Sequence, residues 1–215
     1  VDGHCEPVSW IQDENGCSID MSLDSLQSVF VVFGKNGTGE GVPMQTAGTV
    51  SVGGPWKVNF SESCGNAAFE TEMASLGDWS ESPEPAIKYY SGKATYSNGF
   101  SLDAKPAASD RILLDLGHVM VMGKVRINGN YAGGVWTAPY VVDITDLVCE
   151  GENAVEVDVW NNWRNRLIGD DSLPEEQRKT WTNLSPWKAG SDLQPSGLMG
   201  PVTVKILTGA IDGTK

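Results

Sequence analysis

The sequence predicts an all-β chain folded as a two-sheet antiparallel β-sandwich of jelly-roll type. Three observations carry this: apolar residues recur at every second position in segment after segment, turn residues interrupt them at regular intervals, and helical periodicity is nearly absent. A chain of 215 residues folded as one sandwich hides roughly 70% of its unfolded surface, so its stability requires neither metals nor disulfides.

Taken in order, Ser28-Val29-Phe30-Val31-Val32-Phe33 is an unbroken β-branched and aromatic run, the pattern of a central strand covered on both faces. Gly34 to Gly41 follows, with four glycines among Lys35, Asn36 and Thr38, and reads as a loop or linker. This is the best candidate boundary: residues 1–45 supply N-terminal strands that complete or lead into the sandwich, and residues 46–215 form it. Val50 and Val52 lead to a turn at Gly53-Gly54-Pro55, after which Trp56, Val58 and Phe60 alternate with Lys57 and Asn59. Ile112, Leu114 and Leu116 share one face of the next clear strand, and Val119 to Ile127 runs into Asn128-Gly129. That dipeptide is a strong hairpin signal, because a type I′ turn requires positive φ at both central residues. Tyr131 to Trp136 is the returning strand, Val141 to Thr145 another, and Val155, Val157 and Val159 alternate with Glu156, Asp158 and Trp160. Val202, Val204 and Ile206 close the series. The one segment dense in helix formers, Leu173 to Lys179, predicts about two helical turns with Pro174 at the first position.

Fifteen Lys and Arg against 28 Asp and Glu give a net charge of −13. Such a surface repels phosphate backbones and anionic bilayers, which argues against nucleic acid and membranes as partners. No apolar run approaches the ~20 residues needed to span a bilayer, and Val1-Asp2-Gly3-His4 lacks an initiator Met and an apolar signal core, so a processed or excised chain is expected. Cys5, Cys17, Cys64 and Cys149 allow three fully paired connectivities. Cys5 and Cys17 would close a short loop in an oxidising compartment; idle thiols are the plainer alternative.

Several stretches carry a resemblance. Leu114-Asp115-Leu116-Gly117-His118-Val119, Val125-Arg126-Ile127-Asn128-Gly129 and Gly134 to Thr145 are similar to the sugar-binding jelly-roll modules of glycoside hydrolases. Gly151 to Val157 and Asn161-Asn162-Trp163-Arg164-Asn165-Arg166-Leu167-Ile168-Gly169-Asp170 add to it, as do Ser28 to Phe33, Gly54-Pro55-Trp56 and Ile87 to Gly92. Together these resemble the galactose-binding-like domain of family 2 enzymes and, more closely, the C-terminal domain of family 106 α-L-rhamnosidase-like enzymes. The resemblance implies a secreted parent, extracellular or periplasmic, whose catalytic carboxylates belong to a separate (β/α)-barrel. No βαβ alternation exists here, so this chain is expected to lack the active site. It implies as partners a weakly bound carbohydrate and the catalytic domain of the parent chain. No cofactor is required; jelly-roll sugar modules often carry one structural calcium ion, for which Asp78 or Glu84 would serve.

Two acidic stretches, Glu70 to Glu84 and Asp170 to Glu176, supply carboxylates, yet both lie among Gly, Ser and Pro, where solvated surface charge is the commoner explanation. The two histidines, His4 and His118, offer little material for a base or a zinc triad, and Ser91 lacks the context of a nucleophile elbow. Sugar recognition asks for flat aromatic rings and planar polar groups at low entropy cost. Trp163, Arg164, Arg166, Asp170, Trp181 and Trp187 gather these in a segment without strand pattern and form the candidate sugar surface. The competing structural reading has Trp163 stacking and Arg166 paired with Asp170 to brace the long loop. On that alternative the chain is an interaction domain packing on its parent, with no ligand of its own.

Overall fold

The computed structural model describes residues 8, 10–14, 16–19, 21, 23, 27–34 and 44–209. Its strands are β1 (Trp10–Asp13), β2 (Gly16–Ile19), β3 (Met44–Ser51), β4 (Trp56–Phe60), β5 (Phe69–Met73), β6 (Lys93–Leu102) and β7 (Arg111–Asp115). They continue as β8 (Val119–Met120), β9 (Met122–Ile127), β10 (Asn130–Val135), β11 (Val141–Asp143), β12 (Gly151–Trp160), β13 (Gly197–Leu198) and β14 (Thr203–Gly209). Two short helices interrupt them, α1 (Pro85–Lys88) and α2 (Arg164–Asp171).

A six-stranded sheet ordered β10-β9-β12-β6-β4-β5 packs on a four-stranded sheet ordered β11-β7-β14-β3, and the paired strands are antiparallel throughout. This is the expected two-sheet sandwich. Its interior is written in the alternation: Trp56, Val58 and Phe60 of β4, Ile112 and Leu114 of β7 and the three valines of β12 are all buried, while Lys57 and Asn59 face out. Asn128 and Gly129 turn the β9–β10 hairpin with φ of 50° and 81°, as the dipeptide demands. Separately, β1 and β2 pair with each other as a two-stranded sheet, and with no other strand among the described residues.

Two expectations fail. Residues 28–33 form no strand and are exposed, Phe30 at 88% and Phe33 at 81%. Apolar content states that a segment gains by burial but not against what; here the interior is already filled by residues of β4, β6, β7, β9, β12 and β14. The glycine-rich stretch after Gly34 lies outside the described residues. Leu173–Lys179 makes only a single tight turn at Glu175–Gln177, and the longer helix is instead α2, within the segment read as a loop.

The core concentrates aromatic rings under one end of the larger sheet. Trp79, in a tight turn at Trp79–Glu81, stacks parallel to Tyr96 at 6.4 Å and meets Phe60 and Tyr90 at 5.2 and 5.7 Å. Its Nε1 donates to the Tyr96 hydroxyl at 2.6 Å, so the buried indole N–H has its acceptor inside the core. Burial, reinforced by the nearby Cys64, pushes the Tyr90 hydroxyl up to about 12; the phenol stays neutral and donates to the carbonyls of Ser61 and Lys93. The same turn fixes the far end of the long β12–β13 crossover. The Trp79 amide donates to the Ser196 carbonyl at 2.9 Å, and the Ser196 amide donates to Asp78 Oδ1 at 2.9 Å. Gly197, at φ +103°, lies so close to the Trp79 ring that an added Cβ would sit 2.5 Å from Nε1, so glycine is required there.

Candidate functional site

The crossover from β12 to β13 runs over residues 161–196 and is pinned at three levels. At its start Asn161 donates to the Tyr90 carbonyl at 2.8 Å and accepts from the Gly92 amide at 3.0 Å. In α2, Asn165 exchanges hydrogen bonds with the backbone of Gln194 at 2.6 and 2.8 Å, joining the two ends of the crossover. Gly169 lets the helix approach Tyr89, whose ring would meet a Cβ at 2.6 Å. Asn, Gly and Asp are poor helix formers, so α2 exists through these tertiary bonds and not through propensity.

The last two residues of α2 then fix the outer arm. Asp170 Oδ2 accepts from the amides of Lys179 and Thr180 at 3.2 and 2.8 Å and from the Thr180 hydroxyl, while Asp171 accepts from the Ala189 amide at 2.8 Å. Behind Asp170 stands Arg166, one helical turn back, with Nη2 at 2.7 Å from Oδ1; the side chains are 4% and 7% exposed. Between α2 and the arm lies a cleft of about 650 Å³, whose walls include Leu167, Asp171, Arg178, Trp181, Asn183 and Lys188. Trp181 is 84% exposed, leaving its ring free for a ligand.

The six residues singled out in the sequence therefore separate. Trp181 and Asp170 line the cleft, the latter as its anchor. Arg166 and Asp170 brace α2 as a buried pair. Arg164 lies over the Trp187 ring at 5.8 Å and donates to the Asp192 carbonyl at 2.7 Å, a second brace. Trp163 stands at the start of α2, 63% exposed and outside the cleft lining. Sequence reasoning did not place Arg178, Asn183 and Lys188 in the site; the first was read as part of a helix. Their nearness in sequence to Trp181 and Trp187 was the available signal.

The larger sheet also places two carboxylates side by side. Glu156 and Asp158 point outward from β12 and are joined by Arg126, which donates to Glu156 at 3.0 Å and to Asp158 at 2.8 Å. Burial alone would raise the Asp158 carboxyl, but hydrogen bonds from Arg126 and Thr95 and the charges of Lys93 and Arg126 outweigh it and hold it below the ordinary value. Acid–base glycoside cleavage needs one carboxyl protonated, and this arrangement holds both as acceptors of one guanidinium. A lowered folded value contributes stability that is present above the unfolded carboxylate pKa of about 3.9 and lost as pH falls through the folded value. Asp158→Asn is thus expected to narrow the gap between thermal midpoints at pH 7 and pH 3; an unchanged gap would exclude this carboxylate as a source of acid sensitivity.

Among the described residues no three His, Cys, Asp or Glu gather to hold a metal. Asp78 is engaged by the Ser80 and Ser196 amides, and Glu84 precedes α1 without a side-chain cap bond. Among the described residues Cys17, Cys64 and Cys149 form no disulfide, while Cys5 and His4 lie outside the described residues. His118 is exposed beside Tyr140 at 5.4 Å, and Ser91 is buried just before β6. No described helix is long and apolar enough to cross a membrane.

Comparison with known proteins gives no match to a family model. The chain aligns with a curated protein of Formosa agariphila named "Putative beta-glucuronidase", 34% identical over 182 residues, covering 74% of this chain and 16% of that protein. Among solved structures, a rhamnosidase from Novosphingobium sp. PP1Y superposes with a TM-score of 0.75 at 31% identity over 94% of this chain and 19% of that one. The chain resembles one domain of a glycoside hydrolase. A β-D-glucuronidase of Dictyoglomus thermophilum shares the fold, with a TM-score of 0.50 at 19% identity over 77% of this chain and 29% of that one. In each case the chain spans less than a third of its relative's length, which agrees with a sandwich domain set within a longer polypeptide.

Proposed function

We propose that this chain is a non-catalytic accessory β-sandwich of a longer, secreted α-L-rhamnosidase-like glycoside hydrolase, and that the cleft beside α2 is its carbohydrate-binding surface. The observation that carries the reading is the fit of nearly the whole chain, 94%, to only 19% of a rhamnosidase, together with an open cleft that presents a bare tryptophan. Aromatic rings bind the C–H faces of sugars, and Asn183 supplies a planar amide for hydroxyls. The cost of ordering the wall is already met by Asp170 and Asp171, which hold the arm in place.

On this reading the purified chain hydrolyses no aryl glycoside and is retarded by polysaccharide in affinity electrophoresis. Trp181→Ala should abolish that retardation while shifting the thermal midpoint little, since the ring is exposed. Turnover lost on a single carboxylate substitution would refute the accessory role.

The second reading, a packing domain without a ligand, is favoured by the exposed Phe30, Phe33 and Trp163, which would be buried against another domain of the parent. It expects Trp163→Ala to destabilise a longer polypeptide and Trp181→Ala to change no glycan signal.

A further inference from the structure

The charges of the cleft define which carbohydrate it suits. Three cations, Arg178, Lys179 and Lys188, and three carboxylates, Asp170, Asp171 and Glu175, line it. Asp170 is neutralised from behind by Arg166, which is not part of the lining. Asp171 lies 3.9 Å from Arg178 and 4.0 Å from Lys188, so one carboxylate is shared at ionic distance by two cations. Lys179 donates at 2.6 Å to the side-chain oxygen of Asn66, a neutral partner that leaves its charge uncompensated. The lining itself balances, three cations against three carboxylates, and with Arg166 behind Asp170 the surroundings of the cleft carry one excess positive charge in a chain whose net charge is −13. Lys188, 71% exposed, is able to turn toward a bound anion, while Arg178, 40% exposed, is held by its Nε donating to the Leu173 carbonyl at 3.1 Å and offers its terminal nitrogens. Glu175, at the tight turn, is the one lining carboxylate without a cation within ionic distance among the described residues.

We infer that the cleft selects a carbohydrate bearing carboxylate groups, a uronate-containing glycan, with Arg178 and Lys188 directed to the carboxylate and Trp181 to the sugar ring. A guanidinium matches a carboxylate in a planar fork and a lysine adds a mobile point charge, whereas a neutral sugar would leave this charge without use. The inference rests on the carbohydrate reading given above.

The test titrates the purified chain by calorimetry with a galacturonate oligosaccharide, with its methyl-esterified form and with a neutral galactose oligosaccharide. The acid form is expected to bind about 10-fold more tightly than the ester at low salt, with the gap closing as ionic strength rises toward about 1 M. Arg178→Gln and Lys188→Gln, both exposed, should bring the acid-to-ester affinity ratio down toward one, and Trp181→Ala should weaken both ligands while keeping that ratio. Equal affinity for acid and ester, lost in Trp181→Ala, would overturn the charge selectivity and leave the carbohydrate reading standing. No binding of any of the three would overturn both.

Discussion

Trp79→Ala is expected to lower stability by about 3–5 kcal/mol, the usual cost of deleting a buried indole and leaving a cavity. The ring is 1% exposed and packs on Phe60, Tyr90 and Tyr96. Its loss also removes the donor to the Tyr96 hydroxyl, which would retain only the Leu198 amide at 3.3 Å. At about 2–4 °C per kcal/mol for a chain of this size, the thermal midpoint should fall on the order of 10 °C. Because the Trp79 turn also holds Ser196, calorimetry of Trp79→Ala should show weakened glycan binding at temperatures where the sandwich remains folded. A midpoint within a degree or two of the parent protein would show that this cluster does not carry the core.

The second large effect is expected at the brace of α2. Asp170→Ala leaves the Arg166 guanidinium buried without its counter-charge, and it strips the amides of Lys179 and Thr180 of their acceptor. Breaking a buried pair from one side costs about 3–5 kcal/mol. The two charges are close, yet Arg166 Nε and Asp170 Oδ1 lack a well-directed hydrogen bond, so the pair's desolvation is imperfectly offset. The double change Arg166→Met with Asp170→Leu should therefore cost clearly less than the two single changes added together, with a coupling above about 1 kcal/mol in urea unfolding. Additive losses would mean that the two residues act separately and that no brace joins them.

These two sites also mark where the sequence is legible. The sandwich can be read because its interior follows the pleat: Trp56, Val58 and Phe60, or the three valines of β12, each need the same face buried, and a slip of one residue would expose them all. The Asn128-Gly129 hairpin is local chemistry and survives any tertiary context. Ser28–Phe33 misleads because an apolar run records no partner, and the interior it would have entered is filled by others. Leu173–Lys179 misleads in the opposite sense. Its helix formers gain nothing from burial, since residues 174–179 are exposed, whereas α2, half of it Asn, Gly and Asp, is held by Asn165, Gly169 and the pair spaced Arg166 to Asp170. That i,i+4 spacing was visible in the sequence. The cleft was less so, because its cations come from an arm whose course is set by carboxylates accepting backbone amides, a relation that leaves no periodic trace.

The most direct test follows the indole N–H resonances of the eight tryptophans by nitrogen-15 NMR as oligosaccharides from rhamnose- and uronate-containing polysaccharides are added. The account predicts a saturable shift of the Trp181 signal while the buried Trp56 and Trp79 stay fixed. A spectrum in which no indole moves, or in which Trp163 or Trp136 responds and Trp181 does not, would contradict it.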